Sequence, residues 1–248
     1  MATIPTPAAE PQAAISPIGR IIGVFFSPKA TFEDIARKPS WILPAALTLF
    51  FSLCVTIALN QHFDWRQYMT QQIEKSPRSA QMSAEQKQQQ IDGGAKYAPI
   101  MSYVFGVPAA IVMTLLVALI LMGAYNVLGG AGVNYKTSLA MVTHAFVPSY
   151  LMSVLFIVVL FLKPVGEFDL ENPVATNVAA LLPDDSAKWL VALAKNIDIF
   201  AIWTLILIGI GFAAASPRKL RGAKSFTIIF SLFAFYVIFR MGWAFIFS

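Results

Sequence analysis

The sequence predicts an all-α, polytopic membrane protein with five transmembrane helices and amphipathic interfacial helices at its N-terminal end. Of its 248 residues, 57% are hydrophobic and only 12% are charged, whereas a soluble domain has about 25% charged residues. A helix of roughly 20 apolar residues crosses a hydrocarbon core, and five runs reach that length. The runs are continuous rather than alternating, which disfavours a β-barrel. They are Trp41–Asn60, Pro99–Leu128, Thr137–Leu162, Ile197–Ala215 and Ser225–Phe247.

The first residues, Met1–Ile15, are rich in Ala, Pro and Gln and predict a disordered tail. They contain no Lys or Arg, and no apolar run typical of a signal peptide precedes Arg20. We therefore expect the first span to act as an uncleaved insertion signal. Residues 16–248 are expected to form one transmembrane domain.

Ser16–Lys38, with the sequence SPIGRIIGVFFSPKATFEDIARK, predicts two short helices before the first span. Each of its two Ser-Pro pairs suits an N-cap followed by proline at the first helical position. The expected helices cover Pro17–Phe26 and Pro28–Lys38, and Pro39 ends the second. Both are too short to span and are expected to lie in the membrane interface. In the second helix, Phe32, Ile35 and Ala36 oppose Lys29, Glu33, Asp34 and Lys38.

Six residues are candidates for binding a partner protein or lipid. Three are aromatic residues of the interfacial helices, and three are cations in the turn between spans four and five. Cations beside a membrane attract anionic lipid by about 1 kcal/mol each. The alternative is that the short helices only brace the bundle. The candidates are Phe25, Phe26, Phe32, Arg218, Lys219 and Arg221.

The connection over residues 62–97 is Gln-rich and is predicted to be a polar extracytoplasmic loop. Within it, Ser83-Ala84-Glu85-Gln86 predicts the start of a surface helix, which Gly93-Gly94 is expected to break. Prolines inside the second and third spans, Pro108 and Pro148, each remove a helical hydrogen bond and should kink the helix.

The charge pattern predicts a cytoplasmic N-terminus and, with five spans, an outside C-terminus. The net charge is +5, but the basic residues sit beside the spans, where positive charge sets orientation. This placement excludes a nucleic acid as the expected partner. The cations assigned to the inside lie in short segments next to spans, whereas those of residues 62–97 are spread through a longer loop.

Three ionisable residues lie at membrane depth: His144, Asp198 and Arg240. The predicted topology places Asp198 and Arg240 on the same side, and an ion pair between them would offset part of the cost of burying charge in lipid. The alternative is that both extend to the interface. His144 has no neighbouring ligand or proton partner in the sequence and is expected to form a hydrogen bond within the kink at Pro148.

The sequence carries no catalytic signature. It has no GxSxG, HExxH, CxxC or phosphate-loop motif. The lone cysteine, Cys54, lies in the first span and supplies neither a disulfide nor a zinc site. No catalytic residue, cofactor or metal is therefore predicted.

Two segments resemble bacterial Yip1-domain proteins: SPIGRIIGVFFSPKATFEDIARKPSWILP before the first span, and NYKTSLAMVTHAFVPSYL around Pro148. The similarity covers the chain from about Ser16 onward. It implies a five-helix domain in the bacterial inner (cytoplasmic) membrane with a cytosolic N-terminus. Eukaryotic relatives are associated with Rab GTPases and vesicle trafficking, but this chain differs in its short tail and its long polar connection.

The sequence therefore favours a non-enzymatic membrane scaffold or adaptor. Its expected partners are membrane lipids and an unidentified membrane or cytosolic protein, and self-association is left open. The alternative is a small transporter or channel with kinked second and third spans, which would need a water-filled cavity lined by His144 and Asn126. An intramembrane enzyme is the third hypothesis.

Overall fold

The computed structural model describes residues 14–170, 172–183 and 185–246, and this part is all-helical. Most of the predicted N-terminal tail, residues 1–13, lies outside it. The α-helices are α1 (Pro17–Phe26), α2 (Pro28–Arg37), α3 (Ile42–His62), α4 (Trp65–Lys75), α5 (Ala84–Met101), α6 (Val107–Gly129), α7 (Tyr135–Ala145), α8 (Pro148–Leu162), α9 (Lys188–Asn196), α10 (Ile199–Ala215) and α11 (Lys224–Ile246). Short 3₁₀ turns occupy Pro77–Gln81 and Val178–Leu181.

Within the described residues, four helical segments are long and apolar enough to cross a membrane. They are Ile42–His62, the 46-residue continuous helix Ala84–Gly129, Tyr135–Leu162 and Lys224–Ile246. The expected fourth span corresponds to α10, a shorter apolar helix of 17 residues. At 1.5 Å per residue α10 is about 26 Å long.

Helices α3 and α8 run side by side in the same direction. Near the start of both, the Tyr150 hydroxyl donates to the Pro44 carbonyl over 2.6 Å. At the far end, His62 Nε2 lies 3.4 Å from the Lys163 carbonyl oxygen. The bundle therefore has two distinct ends, one beside α1 and α2 and the other beside α4 and α5.

Helices α1 and α2 form where the two Ser-Pro pairs predict them. The Ser16 hydroxyl accepts a hydrogen bond from the Gly19 N–H over 3.0 Å, as expected of an N-cap. Helix α2 does not merely rest against the bundle, because Phe32 and Ile35 are completely buried. A Cβ at Gly211 of α10 would lie 3.0 Å from the Phe32 ring, so this glycine lets α2 pack directly against α10.

The prediction that residues 62–97 form a loop is wrong, because most of these residues are helical. Helices α4 and α5 pack together as a polar hairpin. The Ser83 capping box is confirmed, but α5 continues through Gly93-Gly94 instead of breaking there. A Cβ at Gly94 would lie 2.7 Å from Met69 Sδ of α4. Close packing between the two helices therefore outweighs the poor helix propensity of glycine, about 1 kcal/mol per residue.

Irregular helical turns accompany both prolines that are predicted to kink their helices. Ahead of Pro108, the residues Ser102–Gly106 form a π-helical turn, a recognised cause of helix kinks. At Pro148 the third span divides into α7 and α8. The His144 carbonyl, which Pro148 cannot reach with an N–H, accepts instead from the Val147 N–H over 3.2 Å.

The larger hydrophobic core lies at the end of the bundle beside α1 and α2, which we call the packed end. It draws buried side chains from α1, α2, α6, α7, α8, α10 and α11. The rings of Tyr125 and Phe212 stack at its centre with 3.9 Å between centroids, and the Tyr125 hydroxyl donates to the Ser225 carbonyl. A smaller cluster, comprising Ala58, Leu59, Leu160 and Phe168, lies towards the other end.

Candidate functional site

A buried ion pair fixes α1 and α2, which together we call the α1–α2 hairpin. Arg20 of α1 and Asp34 of α2 are joined over 2.8 Å, with side chains only 5% and 4% exposed. Arg20 Nη1 also donates to the Lys38 carbonyl (3.0 Å) and to Ser40 Oγ (2.6 Å). One guanidinium therefore links α1, the end of α2 and the segment that leads into α3.

The charge of Arg20 sets the ionisation of Asp34. Burial by itself would raise the pKa of the Asp34 carboxyl. The hydrogen bond and positive charge of Arg20, helped by Arg37, outweigh burial and hold that pKa below its ordinary value. Asp34 therefore remains a carboxylate at neutral pH. Because its side chain is buried, the prediction that Asp34 lies on the charged outer face of α2 is wrong.

The three candidate aromatic residues have different environments. Phe32 is buried in the core, so it cannot touch a partner directly, and it drops out of the predicted surface. Phe25 is half-buried against Trp203, with 5.5 Å between ring centroids. Phe26 is 83% exposed. With Ile18 and Ile22, also exposed, it forms a line at intervals of four residues that we call the α1 stripe.

The three candidate cations lie in the turn between α10 and α11. Arg218, Lys219 and Arg221 are all exposed. The turn is anchored behind them, because Ser216 Oγ donates to the Ala131 carbonyl over 2.8 Å and Leu220 is buried. We call residues 216–223 the basic turn.

A cavity of about 730 Å³ joins α2 to the basic turn, and we call it the rim cavity. Its charged lining residues are Lys29 and Glu33 of α2 and Arg221 of the turn. Its apolar lining includes one face of α10 (Ile210, Ala213, Ala214) together with Leu220 and Phe226. Two segments nearly 200 residues apart in the chain thus line one cavity that has both charged and apolar residues.

A second cavity, of about 520 Å³, opens between α6, α8, α10 and α11. Its lining is almost entirely apolar, with hydroxyl groups only from Ser149, Thr204 and Tyr236. This lining suits a hydrocarbon chain better than a polar solute.

His144 and Asn126 do not line these two cavities. His144 is 1% exposed, and its Nδ1–H donates to the Ala140 carbonyl over 2.8 Å. The predicted hydrogen bond of His144 is therefore made to Ala140, one helical turn before His144 and ahead of Pro148. Asn126 bonds both the N–H and the carbonyl of Val133 and holds the Gly-rich turn between α6 and α7.

The hypothetical ion pair between Asp198 and Arg240 is not present. Asp198 caps α10 and accepts from the N–H groups of Phe200 and Ala201, each over 2.9 Å, and from the Thr176 hydroxyl. These donors already satisfy the carboxylate. Arg240 is exposed and lies over the Tyr236 ring, 5.9 Å from its centroid.

Comparison with known proteins decides the family. The family model of the Yip1 domain matches residues 22–244, nearly the whole chain. The chain belongs to the Yip1 domain family. No curated protein and no solved structure matches it. Membership confirms the resemblance of the two segments, and with the apolar helices it identifies a multi-pass integral membrane protein.

In this Yip1 domain, the residues that organise the packed end were not singled out by sequence reasoning. The sequence pattern places Asp34 on the charged face of α2, and Arg20 is the only charged residue of an otherwise apolar α1. A lone charge in such a helix is a signal that a partner lies on a neighbouring element. Nothing in the sequence indicated that Lys29 and Glu33 share a cavity with Arg221, since only the fold brings these residues together.

Proposed function

We propose that this Yip1-domain protein is a non-enzymatic membrane adaptor whose docking surface combines the α1 stripe and the basic turn. In this proposal α10 also crosses the membrane, which gives five spans in total, since 17 residues is within the roughly 17–25 that cross a bilayer. The N-terminus and the packed end then face the cytoplasm of a bacterial inner membrane.

The observation that carries the proposal is that the α1–α2 hairpin is rigidly held yet leaves an apolar face uncovered. A hairpin that only braced the bundle would direct its large apolar residues inward to the core or place them in lipid at the interface. Here Arg20 and Phe32 fix the hairpin from within, while Ile22 and Phe26 remain exposed. Large side chains four residues apart on one face of a helix are the usual anchors by which that helix docks into an apolar groove of a partner.

Charge supports the same surface and its orientation. The turn carries Arg218, Lys219 and Arg221, all exposed, and Lys136 is exposed at the start of α7. Cations in short segments beside spans mark the cytoplasmic side. They also complement a partner that has acidic residues next to its apolar helix.

The transporter hypothesis gains less support. It needs a polar path through the bundle, but His144 is sealed in the core and Asn126 is committed to a turn. The intramembrane cavity between α6, α8, α10 and α11 is almost wholly apolar. A close-packed interior is expected of a scaffold.

Site-specific photocrosslinking in native membranes tests the adaptor. A photoreactive amino acid replaces Phe26, and in a separate variant replaces Leu181, which is equally exposed (83%) but follows α8 at the other end. We expect a discrete protein adduct from position 26 alone, and its loss in Ile18→Ser/Ile22→Ser. Adducts with lipid alone at both positions would contradict the adaptor.

A further inference from the structure

Among the residues that the structure describes, the rim cavity contains two cations that have no ionic partner. Ion pairs elsewhere in this part of the chain include Arg20–Asp34, Arg37–Asp34 and Arg66–Asp92. The side chains of Lys29 and Arg221 take part in none of them, although both line the cavity. Glu33 is the single acidic residue of the lining, so the described rim has an excess of positive charge.

Most of the other residues that line the cavity are apolar. Ile210, Ala213 and Ala214 share one face of α10, and Leu220 and Phe226 add to the apolar lining. The volume of about 730 Å³ lies within the range of small-molecule sites, about 300–1,000 Å³. A lining that combines cations with apolar side chains complements an amphiphile with an anionic head.

We propose that the rim cavity binds a phosphatidylglycerol-type lipid, with its phosphate between Lys29 and Arg221. Both side chains donate charge-assisted hydrogen bonds to phosphate. An ionised carboxylate only accepts, so Glu33 selects a headgroup that carries a hydroxyl donor. The acyl chains lie along the face of α10. The inference rests on the proposed function only in placing the packed end at the cytoplasmic leaflet.

The site differs from general attraction of the membrane surface to positive charge. General attraction depends on every nearby cation to a similar degree, and Lys136 at the same end is exposed but lies outside the cavity lining. A cavity site depends on Lys29, on Arg221 and on the space above Ala213. Lys136 therefore provides a matched control.

Binding of phosphatidylglycerol to the purified full chain, measured by native mass spectrometry, tests the site. We expect Lys29→Gln/Arg221→Gln to weaken binding about a hundredfold, since each of the two charged hydrogen bonds contributes roughly a factor of ten. Ala213→Phe, which fills the cavity without changing charge, should also weaken it. Lys136→Gln should have no more than about a fivefold effect, the general attraction expected of one cation beside a membrane. Equal losses in Lys136→Gln and the double variant, or no loss in either, would overturn the proposal.

Two ligand comparisons test the parts of the lipid separately. Phosphatidylethanol has the same phosphodiester charge without headgroup hydroxyls, so the wild type should prefer phosphatidylglycerol, and Glu33→Ala should lose that preference. Glycerol phosphate lacks acyl chains and should bind far more weakly. Equal affinity for it would indicate a soluble phosphate site and overturn the lipid assignment. Loss of the Phe26 crosslink with lipid binding intact would affect only the adaptor proposal.

Discussion

Two Arg–Asp pairs of almost equal length stand at opposite ends of the molecule. Arg20–Asp34, at the packed end, spans 2.8 Å with both side chains almost completely buried. Arg66–Asp92, in the polar hairpin, spans 2.7 Å with side chains 59% and 51% exposed. Geometry alone would make them equivalent. Burial makes the first a structural lock, because a charge left alone in a buried site is costly, whereas water screens the second.

The largest expected effect comes from breaking the buried pair. Arg20→Gln should lower the free energy of unfolding by about 3–5 kcal/mol, because it leaves Asp34 as an uncompensated buried charge. Thermal and denaturant unfolding in detergent would measure the loss. Arg20→Met/Asp34→Leu removes both charges and should recover most of the stability. A double variant as unstable as the single one would contradict the lock.

The same lock depends on the packing of α2 against α10. Phe32→Ala should cost about 3–5 kcal/mol, the usual range for a large buried aromatic residue. Phe26→Ala is the matched control on the same hairpin and should change stability little, because Phe26 is exposed. Equal effects of the two substitutions on unfolding would mean that α2 is not part of the core.

The pH dependence of stability should differ between the two ends. Because the pKa of Asp34 is lowered in the fold, its contribution is fully present above its ordinary value, near 3.8. It is lost as pH falls through the lower value of the folded state. Asp34→Asn should therefore remove part of the acid sensitivity of unfolding. Asp92→Asn serves as the control variant, because the exposed pair contributes little to stability.

The smallest effect is expected at the exposed pair. Arg66→Gln should change the free energy of unfolding by less than about 1 kcal/mol. The measurement is the one used for Arg20→Gln, at low and moderate salt. A loss comparable with that of Arg20→Gln would show that exposure does not distinguish the two pairs.

The comparison also shows what sequence can predict. Features set by neighbouring residues were predictable: the Ser-Pro starts of α1 and α2, the capping box at Ser83 and the break at Pro148. Features set by contacts distant in sequence were not. The sequence Gly93-Gly94 predicts a helix break, but in the fold Met69 packs against Gly94 and the helix continues. The sequence gives no partner for Arg20, but in the fold α2 places Asp34 beside it.

The features of the candidate site also differ in whether the local sequence could predict them. The exposure of the cations of the basic turn was predictable, since a charged turn needs only local context. The exposure of Phe26 was not, because Phe25 and Phe32 were equal candidates in the sequence and only the fold separates them. The rim cavity was not, because Lys29 and Arg221 meet only after α2 packs along α10. The burial of Phe32 could not be predicted for the same reason, because its ring packs against Gly211 of α10, which is distant in sequence.

The basic turn lies on the same side of the membrane as the α1–α2 hairpin, and opposite to the polar hairpin, only if α10 crosses the membrane. Cysteine accessibility tests this directly in a Cys54→Ser background. Lys219→Cys in the basic turn should react with an impermeant maleimide only from the cytoplasmic face. Lys87→Cys in the polar hairpin should react only from the opposite face. Labelling of both positions from the same face would contradict five spans and the cytoplasmic placement of the packed end.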